Sequence, residues 1–365
     1  MTLTRALALV SSTLLLTNAV GAQERFTLSG QEVSVYNIAG TLHIAAGTGT
    51  YTEVEVTRLG RDSGELSIST PSRSSLRVIY PRDEISYPGH ARGSQSTVSV
   101  TGDGTFGNTR GERTVRISSS DRAGPDAMEA AANIVVRLQP GARLTARTVI
   151  GETRIESVNG ALSVTNTSGS ITARGTRGEL ELRTASGDID VTDAEGAITL
   201  RTASGSVDVD NARGASLTVK VASGRIEAKS IHAGAVLLET ASGAIRADRV
   251  ASDSLRLSSA SGSITVRGAT AADVQARTSS GSLDVELAGM VRSAQVRSAS
   301  GSVRLQLPAG SDVALELRSA SGGVHLDAPA VIVESRRGYT SANLGSGAGR
   351  VSASSSSGSV RVSAR

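Results

Sequence analysis

The feature that most constrains this chain is a tetrapeptide that returns at almost constant spacing. From about Val149 onwards, Thr-Ala-Ser-Gly or a near variant ends 18 to 21 residues apart, at Gly169, Gly187, Gly205, Gly224, Gly243, Gly262, Gly281, Gly301 and Gly322. A last variant, Ser356-Ser357-Gly358-Ser359, lies near the end of the sequence. Self-similarity at a fixed period indicates one small structural unit per repeat, which becomes stable only when neighbouring units stack.

Each repeat contains two short stretches in which apolar and polar residues alternate. Apolar residues stand two and four positions after a motif glycine, as at Ile189 and Val191, and seven and five positions before it, as at Leu180 and Leu182. A period of two predicts strands with one buried face. We therefore expect an all-β fold, a parallel β-solenoid (β-helix) built of two-strand coils of about 19 residues.

The remaining motif positions are expected to form the corner of each coil. The motif alanines are small and apolar, so we place Ala185, Ala203, Ala222 and Ala241 inside the corner. The motif serines are interpreted as turn formers that hydrogen-bond the backbone. The polar segment Ser354 to Ser359 is expected to cap the last coil. With aromatic residues at only 2%, the core must be a thin stack of Val, Ile, Leu and Ala side chains.

The N-terminus has the composition of a secretory signal peptide. Arg5 precedes a mostly apolar stretch from Ala6 to Val20, and Val20-Gly21-Ala22 resembles a small-residue cleavage site. We divide the chain into a signal peptide (1–22), a less regular β-rich N-terminal region (23–140) and a β-solenoid repeat domain (141–365). The protein is expected to be exported through the inner membrane to the periplasm, outer surface or medium, without a transmembrane span.

Within the N-terminal region, alternation predicts strands near Val33, Val54, Leu66, Leu76 and Val98. The stretch from Asn37 to Ile44 resembles one half of a coil. Pro125 precedes the one segment with a helical pattern, so a short helix is expected from Asp126 to Ala132.

Together these motifs resemble a bacterial β-strand-repeat family known as "putative adhesins", an exported domain of unknown function. The resemblance lies in Leu-Gln-Pro-Gly-Ala at Leu138 to Ala142, in Ser157-Val158-Asn159-Gly160, and in the serial Ala-Ser-Gly coils. It implies a non-catalytic role in the cell envelope or at the cell surface. The family supplies no functional residues to carry over.

The sequence predicts no catalytic, cofactor or metal site. Asp190, Asp208 and Asp210 fall on adjacent coils, which would suit a metal or an acid–base pair in a polysaccharide-active β-helix enzyme. Basic residues such as Arg246 stand at equivalent positions, which favours a solvated, charge-balanced face instead. The four histidines, at 43, 90, 232 and 325, lack metal-ligand spacing, and the chain has no cysteine.

One surface pattern is not explained by folding alone. The residue four positions before the motif glycine is basic in six of eight coils: Arg183, Arg201, Lys220, Arg277, Arg297 and Arg318. Stacked coils would place these residues, hereafter the basic column, about 4.8 Å apart. The column predicts binding of an anionic polymer such as an envelope polysaccharide. The other interpretation is that the arginine stems cover the sheet while their charged ends lie in water. Nucleic acid is not expected, because stacking aromatics are missing. A structural, self-assembling envelope solenoid is the alternative function.

Overall fold

The computed structural model describes residues 23–107 and 112–365, so the predicted signal peptide lies outside the described residues. The described chain is almost entirely β-structure, with one 3₁₀ turn, η1 (Ser63–Glu65). The N-terminal strands are β1 (Gln23–Leu28), β2 (Glu32–Ala39), β3 (Leu42–Ala46), β4 (Thr52–Leu59), β5 (Ser67–Ser72), β6 (Ser75–Ile79), β7 (Glu84–Ser86), β8 (Gln95–Val100), β9 (Arg113–Ser118) and β10 (Met128–Glu129). Within the described residues, no helix is long and apolar enough to cross a membrane.

The strands of the repeats follow in chain order. They are β11 (Ala131–Leu138), β12 (Arg143–Ile150), β13 (Thr153–Glu156), β14 (Ala161–Ser168), β15 (Ile171–Arg174), β16 (Leu180–Ser186), β17 (Ile189–Ser204), β18 (Val207–Ser223), β19 (Ile226–Ser242), β20 (Ile245–Ser261) and β21 (Ile264–Ser280). The last are β22 (Leu283–Leu287), β23 (Ser293–Ser300), β24 (Val303–Leu307), β25 (Val313–Ser319), β26 (Val324–Asp327), β27 (Val331–Arg336), β28 (Tyr339–Leu344), β29 (Gly349–Ser355) and β30 (Val360–Ala364).

The repeats stack as the predicted parallel β-solenoid. Each of β17 to β21 spans both stretches of a coil, and each pairs in parallel with the equivalent residues of the next coil, as Ile189 with Val207 and Ile198 with Leu217. A corner residue with positive φ joins the two stretches, such as Asp193 (φ 55°) and Arg249 (φ 52°). The solenoid therefore has two long faces, which we call the front sheet and the back sheet.

The front sheet contains the stretch before each motif glycine. Its spatial order is β5, β6, β2, β12, β14, β16, the second halves of β17 to β21, β23, β29, β25, β28 and β27. The back sheet contains the stretch after each glycine, in the order β1, β4, β11, β3, β13, β15, the first halves of β17 to β21, β22, β24, β30 and β26. A small second sheet, β10-β7-β9-β8, belongs to the N-terminal region.

The predicted apolar positions form the core, but the motif alanines do not. Leu182, Ile189 and nearly all their equivalents in the stack are buried, whereas Ala185 and Ala203 are exposed. The residue inside the corner is the one just before each alanine, as at Thr202. Placing the alanines inside was wrong, because strand alternation puts every second residue inward and the threonine position has the inward parity.

The buried corner residue is usually a hydroxyl that bonds the backbone of the preceding coil. The acceptor is each time the carbonyl oxygen of a motif glycine, at distances such as 3.1 Å from Thr202 Oγ1 to Gly187 and 2.9 Å from Thr278 Oγ1 to Gly262. Such bonds recur from Thr184, Thr202, Thr240, Ser259, Thr278, Ser298, Ser319 and Ser355. Among the motif serines, Ser321 donates the expected bond to backbone, at 3.0 Å from Ser356 O. The hydroxyl column thus satisfies carbonyl groups that burial would otherwise leave without a partner.

The motif glycines stack so closely that no side chain fits between them. A β-carbon added to Gly243 (φ 156°) would lie 1.9 Å from the carbonyl oxygen of Gly224, and one added to Gly224 would lie 2.0 Å from that of Gly205. This close approach of one corner to the next explains why the motif ends in glycine in every copy.

The parallel stack begins before residue 141. β2 pairs with β12 and β3 with β13, so residues of the N-terminal region form a coil beneath the repeats, as the Asn37 to Ile44 pattern suggested. The domain boundary at residue 140 stays a prediction. The helix expected from Asp126 to Ala132 is wrong: this segment contains β10 and the start of β11, and β11 lies between β3 and β4 in the back sheet. Pairing on both sides overrides the local preference of its alanines.

The coils at the far end do not stack in chain order. β29 pairs with β23 on one side and with β25 on the other, and β30 likewise lies between β24 and β26. The last coil in sequence is therefore inserted between its two predecessors. The prediction that Ser354 to Ser359 caps the solenoid is wrong, since the antiparallel hairpin β27–β28 covers the end of the front sheet instead.

Candidate binding groove

The front sheet brings the basic column together in three groups. Arg183 lies opposite Arg201, which lies opposite Lys220, and further along Arg277 lies opposite Arg297. Glu239 and Ser258 separate these two groups. Arg318 forms the third group, because the inserted strand β29 places Ser354 between Arg297 and Arg318. All six side chains are on the outer face of one sheet, but they do not form an unbroken row.

Acidic neighbours partly neutralise the column. Arg183 pairs with Glu181 and Arg318 with Glu316, each two residues earlier on the same strand. Lys220 Nζ lies 2.8 Å from Glu239 Oε2. Exposed pairs of this kind contribute about 0–1 kcal/mol and exchange readily with other anions.

Three members of the column keep a charge that no salt bridge compensates. Within the described residues, neither Arg201 nor Arg297 has an acidic side chain within the 4.0 Å of a salt bridge. Arg277 Nε donates to Ser258 Oγ at 3.0 Å, which orients the guanidinium without neutralising it. Arg183 lowers the pKa of its partner, Glu181. Burial raises the pKa of this carboxyl, but the hydrogen bonds from Arg183 and Ser163 outweigh burial, so the pKa lies below its ordinary value.

The exposed motif alanines form the floor of a groove beside the basic column. A shallow depression of about 770 Å³ runs across five coils, from Thr165 to Ala241. A second depression of about 570 Å³ continues it to Ser356, and the two meet at Thr240. We call this continuous depression the front groove. Its floor is a row of small side chains, mostly alanines with Ser279 and Ser356 among them, and its wall is mainly cationic. This arrangement suits an extended chain with anionic groups along one side.

Aromatic residues stand at both ends of the same surface column. At the near end, Tyr36 follows Arg147 in the column, and the ring of Phe106 meets it edge-on with centroids 5.6 Å apart. At the far end, Tyr339 lies opposite Arg318, and its ring is 5.4 Å from the guanidinium of Arg318 and 4.8 Å from that of Arg336. Sequence reasoning missed these residues, for which the only signal was their rarity in a chain with five Tyr and two Phe.

The carboxylates considered for an enzyme lie on the back sheet. Asp190 is opposite Asp208, which is opposite Glu227. Burial and then the charges of Asp208 and Asp188 raise the pKa of Asp190, and burial followed by the charge of Glu227 raises the pKa of Asp208. Glu227 is held ionised by Lys229, 2.8 Å away. Asp210 lies opposite Lys229 rather than joining the carboxylates. In the described part of the chain, no group of three or more His, Asp or Glu side chains could hold a metal ion.

The histidines lie apart from one another. His43 Nε2 is 3.3 Å from Glu156, and His90 Nε2 is 3.1 Å from Ser96, where burial lowers the pKa of the imidazole. His232 and His325 are exposed on the solenoid. Among the described residues, the histidines are thus dispersed, and the single imidazole–carboxylate contact, His43 to Glu156, is isolated.

The repeated coils also define the relatives of this chain. Residues 192–363 match the family Toastrack DUF4097. The predicted resemblance to a β-strand-repeat family of unknown function is thereby confirmed, over just under half of the chain. The matched Toastrack segment includes the far coils, the inserted coil and the hairpin β27–β28, and it contains Arg201, Lys220, Arg277, Arg297 and Arg318 of the basic column.

A solved structure aligns with nearly the whole chain but only loosely. It is described as a "putative cell adhesion protein" from Clostridium sporogenes ATCC 15579; the alignment covers 94% of this chain and 99% of that one, with 9% sequence identity and a TM-score of 0.22. No curated protein matches the chain.

Proposed function

We propose that this protein is a non-catalytic, adhesin-like component of the cell envelope or cell surface that binds an anionic polymer along the front groove. The observation that carries the proposal is the alignment of basic side chains, five of which line the groove, beside a floor made mostly of exposed alanines. A linear polyanion lying parallel to the solenoid axis would meet three successive cations, then two more beyond Glu239 and Ser258, and no bulky side chain on the floor.

The charge distribution supports a polymer rather than a single small anion. Arg201 lies several coils from Arg277 and Arg297, the other two cations without a salt bridge, so one small anion cannot bridge the two positions. A chain of many weak contacts can engage both, and its affinity gains from the tethering of successive groups. We assign the polymer to the anionic polysaccharides of the envelope, and the export step to the signal peptide predicted at residues 1–22.

Co-sedimentation tests the proposal. The mature protein, residues 23–365, is mixed with isolated envelope polysaccharides and outer-membrane fragments at low and high salt. We expect salt-sensitive binding, because exposed charges are screened at about 10 Å in 0.1 M salt. Binding should be lost when Arg183, Arg201, Arg277, Arg297 and Arg318 are all changed to Gln.

A matched variant separates the groove from net charge. It changes five exposed arginines of the back side to Gln, namely Arg174, Arg225, Arg246, Arg304 and Arg361, and so carries the same net charge as the groove variant. Binding that is retained in this control and lost in the groove variant would support the front groove as the binding site. Equal binding by parent and groove variant, or no binding by the parent, would overturn the proposal.

The enzyme alternative has its own test. Asp190 and Asp208, which lie opposite each other on the back sheet, and Asp210 two residues after Asp208 would be its machinery. The same polysaccharides are therefore incubated with the parent and with a variant in which all three are changed to Asn. We expect no new reducing ends with either protein. Chain cleavage by the parent that disappears in the variant would replace our proposal with a polysaccharide-active enzyme.

A further inference from the structure

The last strand of the front sheet has one free edge and an unusually apolar sequence. β27 reads Val-Ile-Val-Glu-Ser-Arg and pairs with β28 on one side, while no described strand pairs with its other side. Its Val331, Ile332 and Val333 side chains are 70%, 52% and 63% exposed. A free strand edge with exposed apolar side chains is a template for pairing with another strand.

The other free edges of the two long sheets carry charged residues or proline that the first half of β27 lacks, including β26 at the far end of the back sheet, which carries Asp327. β5, at the opposite end of the front sheet, carries Pro71 and several serines, and β1, at the end of the back sheet, carries Glu24 and Arg25. Proline and charged side chains are the usual devices that keep sheet edges from pairing. The edge of β27 lacks them over its first three residues.

We propose that β27 pairs in an antiparallel manner with β27 of a second copy of this chain. A two-fold axis perpendicular to the front sheet would then join two solenoids end to end. β27 is the outermost strand at this end of the sheet, so no described strand of the same chain stands in the way.

The sequence of β27 is compatible with its own copy as the partner. If the two strands overlap over all six residues, Val331 meets Arg336 and Ile332 meets Ser335, so like charges do not oppose each other. Residues that would oppose each other also point to the same side of the sheet. Val331 and Arg336 pair with half-exposed positions of β28, Asn343 and Tyr339, whereas Ile332 and Ser335 pair with its buried positions, Ala342 and Thr340. The irregularity between Ile332 and Glu334 makes this alternation possible.

The dimer would continue the front sheet from one molecule into the next. The two basic columns would then lie on the same side of a doubled surface, with Arg318 of each copy near the junction. A contact made through one strand from each copy is small, so we expect a weak, concentration-dependent association rather than an obligate dimer.

Sedimentation equilibrium of residues 23–365 over a wide concentration range tests this inference without any polymer present. We expect monomer at low and dimer at high concentration, with the dissociation constant raised at least tenfold by Ile332→Lys. The matched control is Met290→Lys, which adds the same charge at a 62% exposed apolar residue outside the strands and should dimerise like the parent. A monomeric parent, an unaffected Ile332→Lys variant, or species that grow beyond the dimer would each overturn the proposal.

Cross-linking provides a second measurement that does not depend on affinity. Because the chain has no cysteine, an equimolar mixture of Ile332→Cys and Ser335→Cys proteins can form only introduced disulfides. The proposed overlap predicts a mixed disulfide dimer in excess over either homodimer, since opposed residues lie about 4.5–5.5 Å apart between Cα atoms. Failure to form it while the parent dimerises would refute the antiparallel β27 pairing.

Discussion

The column of buried hydroxyls permits a reciprocal test in two neighbouring coils. Thr202 and Val221 occupy equivalent positions, pair directly in the front sheet and are each 5% exposed. Thr202 Oγ1 donates to the carbonyl oxygen of Gly187 at 3.1 Å, whereas Val221 leaves the equivalent carbonyl of Gly205 without this donor. Thr202→Val should therefore remove a bond, and Val221→Thr should add one.

The expected magnitude follows from the burial and geometry. A hydrogen bond of ordinary length contributes about 0.5–1.5 kcal/mol net, and valine and threonine have nearly the same shape. We expect Thr202→Val to lower the free energy of unfolding by about 1 kcal/mol and Val221→Thr to raise it by a similar amount. In a chain of this size, 1 kcal/mol is only about 2–4 °C in Tm, so urea unfolding with a fitted slope is the better assay.

The two substitutions together discriminate between causes. If Thr202→Val costs stability but Val221→Thr gains none, the loss at residue 202 reflects local strain rather than the repeated bond. If neither change alters the unfolding free energy, the column is held by packing alone and the reasoning from hydroxyl geometry is wrong. A double variant close to the parent in stability would support the additivity expected of nearest-neighbour coils.

Three further predictions concern other columns of the stack. Gly243→Ala should destabilise by about 3 kcal/mol or more in urea unfolding, because the new methyl meets the Gly224 carbonyl oxygen at 1.9 Å, while Gly64→Ala in open space should be nearly neutral. Arg249→Gly should stabilise by about 0.5–1 kcal/mol, because a non-glycine residue at φ 52° is strained; no gain, or a gain as large from Arg246→Gly three residues earlier in the same strand, would count against this strain. Asp208→Asn should raise stability at neutral pH by about 0.5 kcal/mol. The pKa of Asp208 is raised in the folded state, so the native state binds more protons and stability falls as pH rises through that pKa. The stability advantage of the variant should vanish below the unfolded pKa. An advantage that persists there would contradict charge repulsion at Asp208 as its cause.

Most of the coil could be predicted because each of its features repeats. A fixed period, alternation at period two and glycine at the corner are local signals, and together they define the parallel stack and the outer position of the basic column. The motif alanines were misplaced because residue type was weighed above strand parity. Counting outward and inward positions from Leu182 places Thr184 inside and Ala185 outside, so the information was in the sequence.

The features that could not be predicted depend on contacts distant in sequence. The segment from Asp126 to Ala132 pairs with β7, 43 residues earlier, and with β4, 72 to 74 residues earlier, and no local pattern shows this. The inserted coil likewise has no signature of its own, apart from the 36-residue gap between Gly322 and Gly358, which is about two coils instead of one. The aromatic residues at the two ends of the surface column, Tyr36 and Tyr339, come from segments outside the regular repeats.

The inserted coil has a consequence for the order in which the chain can fold. Coils from β12 to β24 can be added one after another as the polypeptide emerges, each on a finished surface. β25 and β26 cannot follow that rule, because their neighbours β29 and β30 are made later. The coil of β25 and β26 and the coil of β29 and β30 must therefore form together, after the earlier coils have stacked. A protein threaded through a membrane from its N-terminus would complete this end only after residues 349–364 had crossed. A chain that ended before residue 349 would therefore lack the strands between β23 and β25 and between β24 and β26, rather than only the outermost coil.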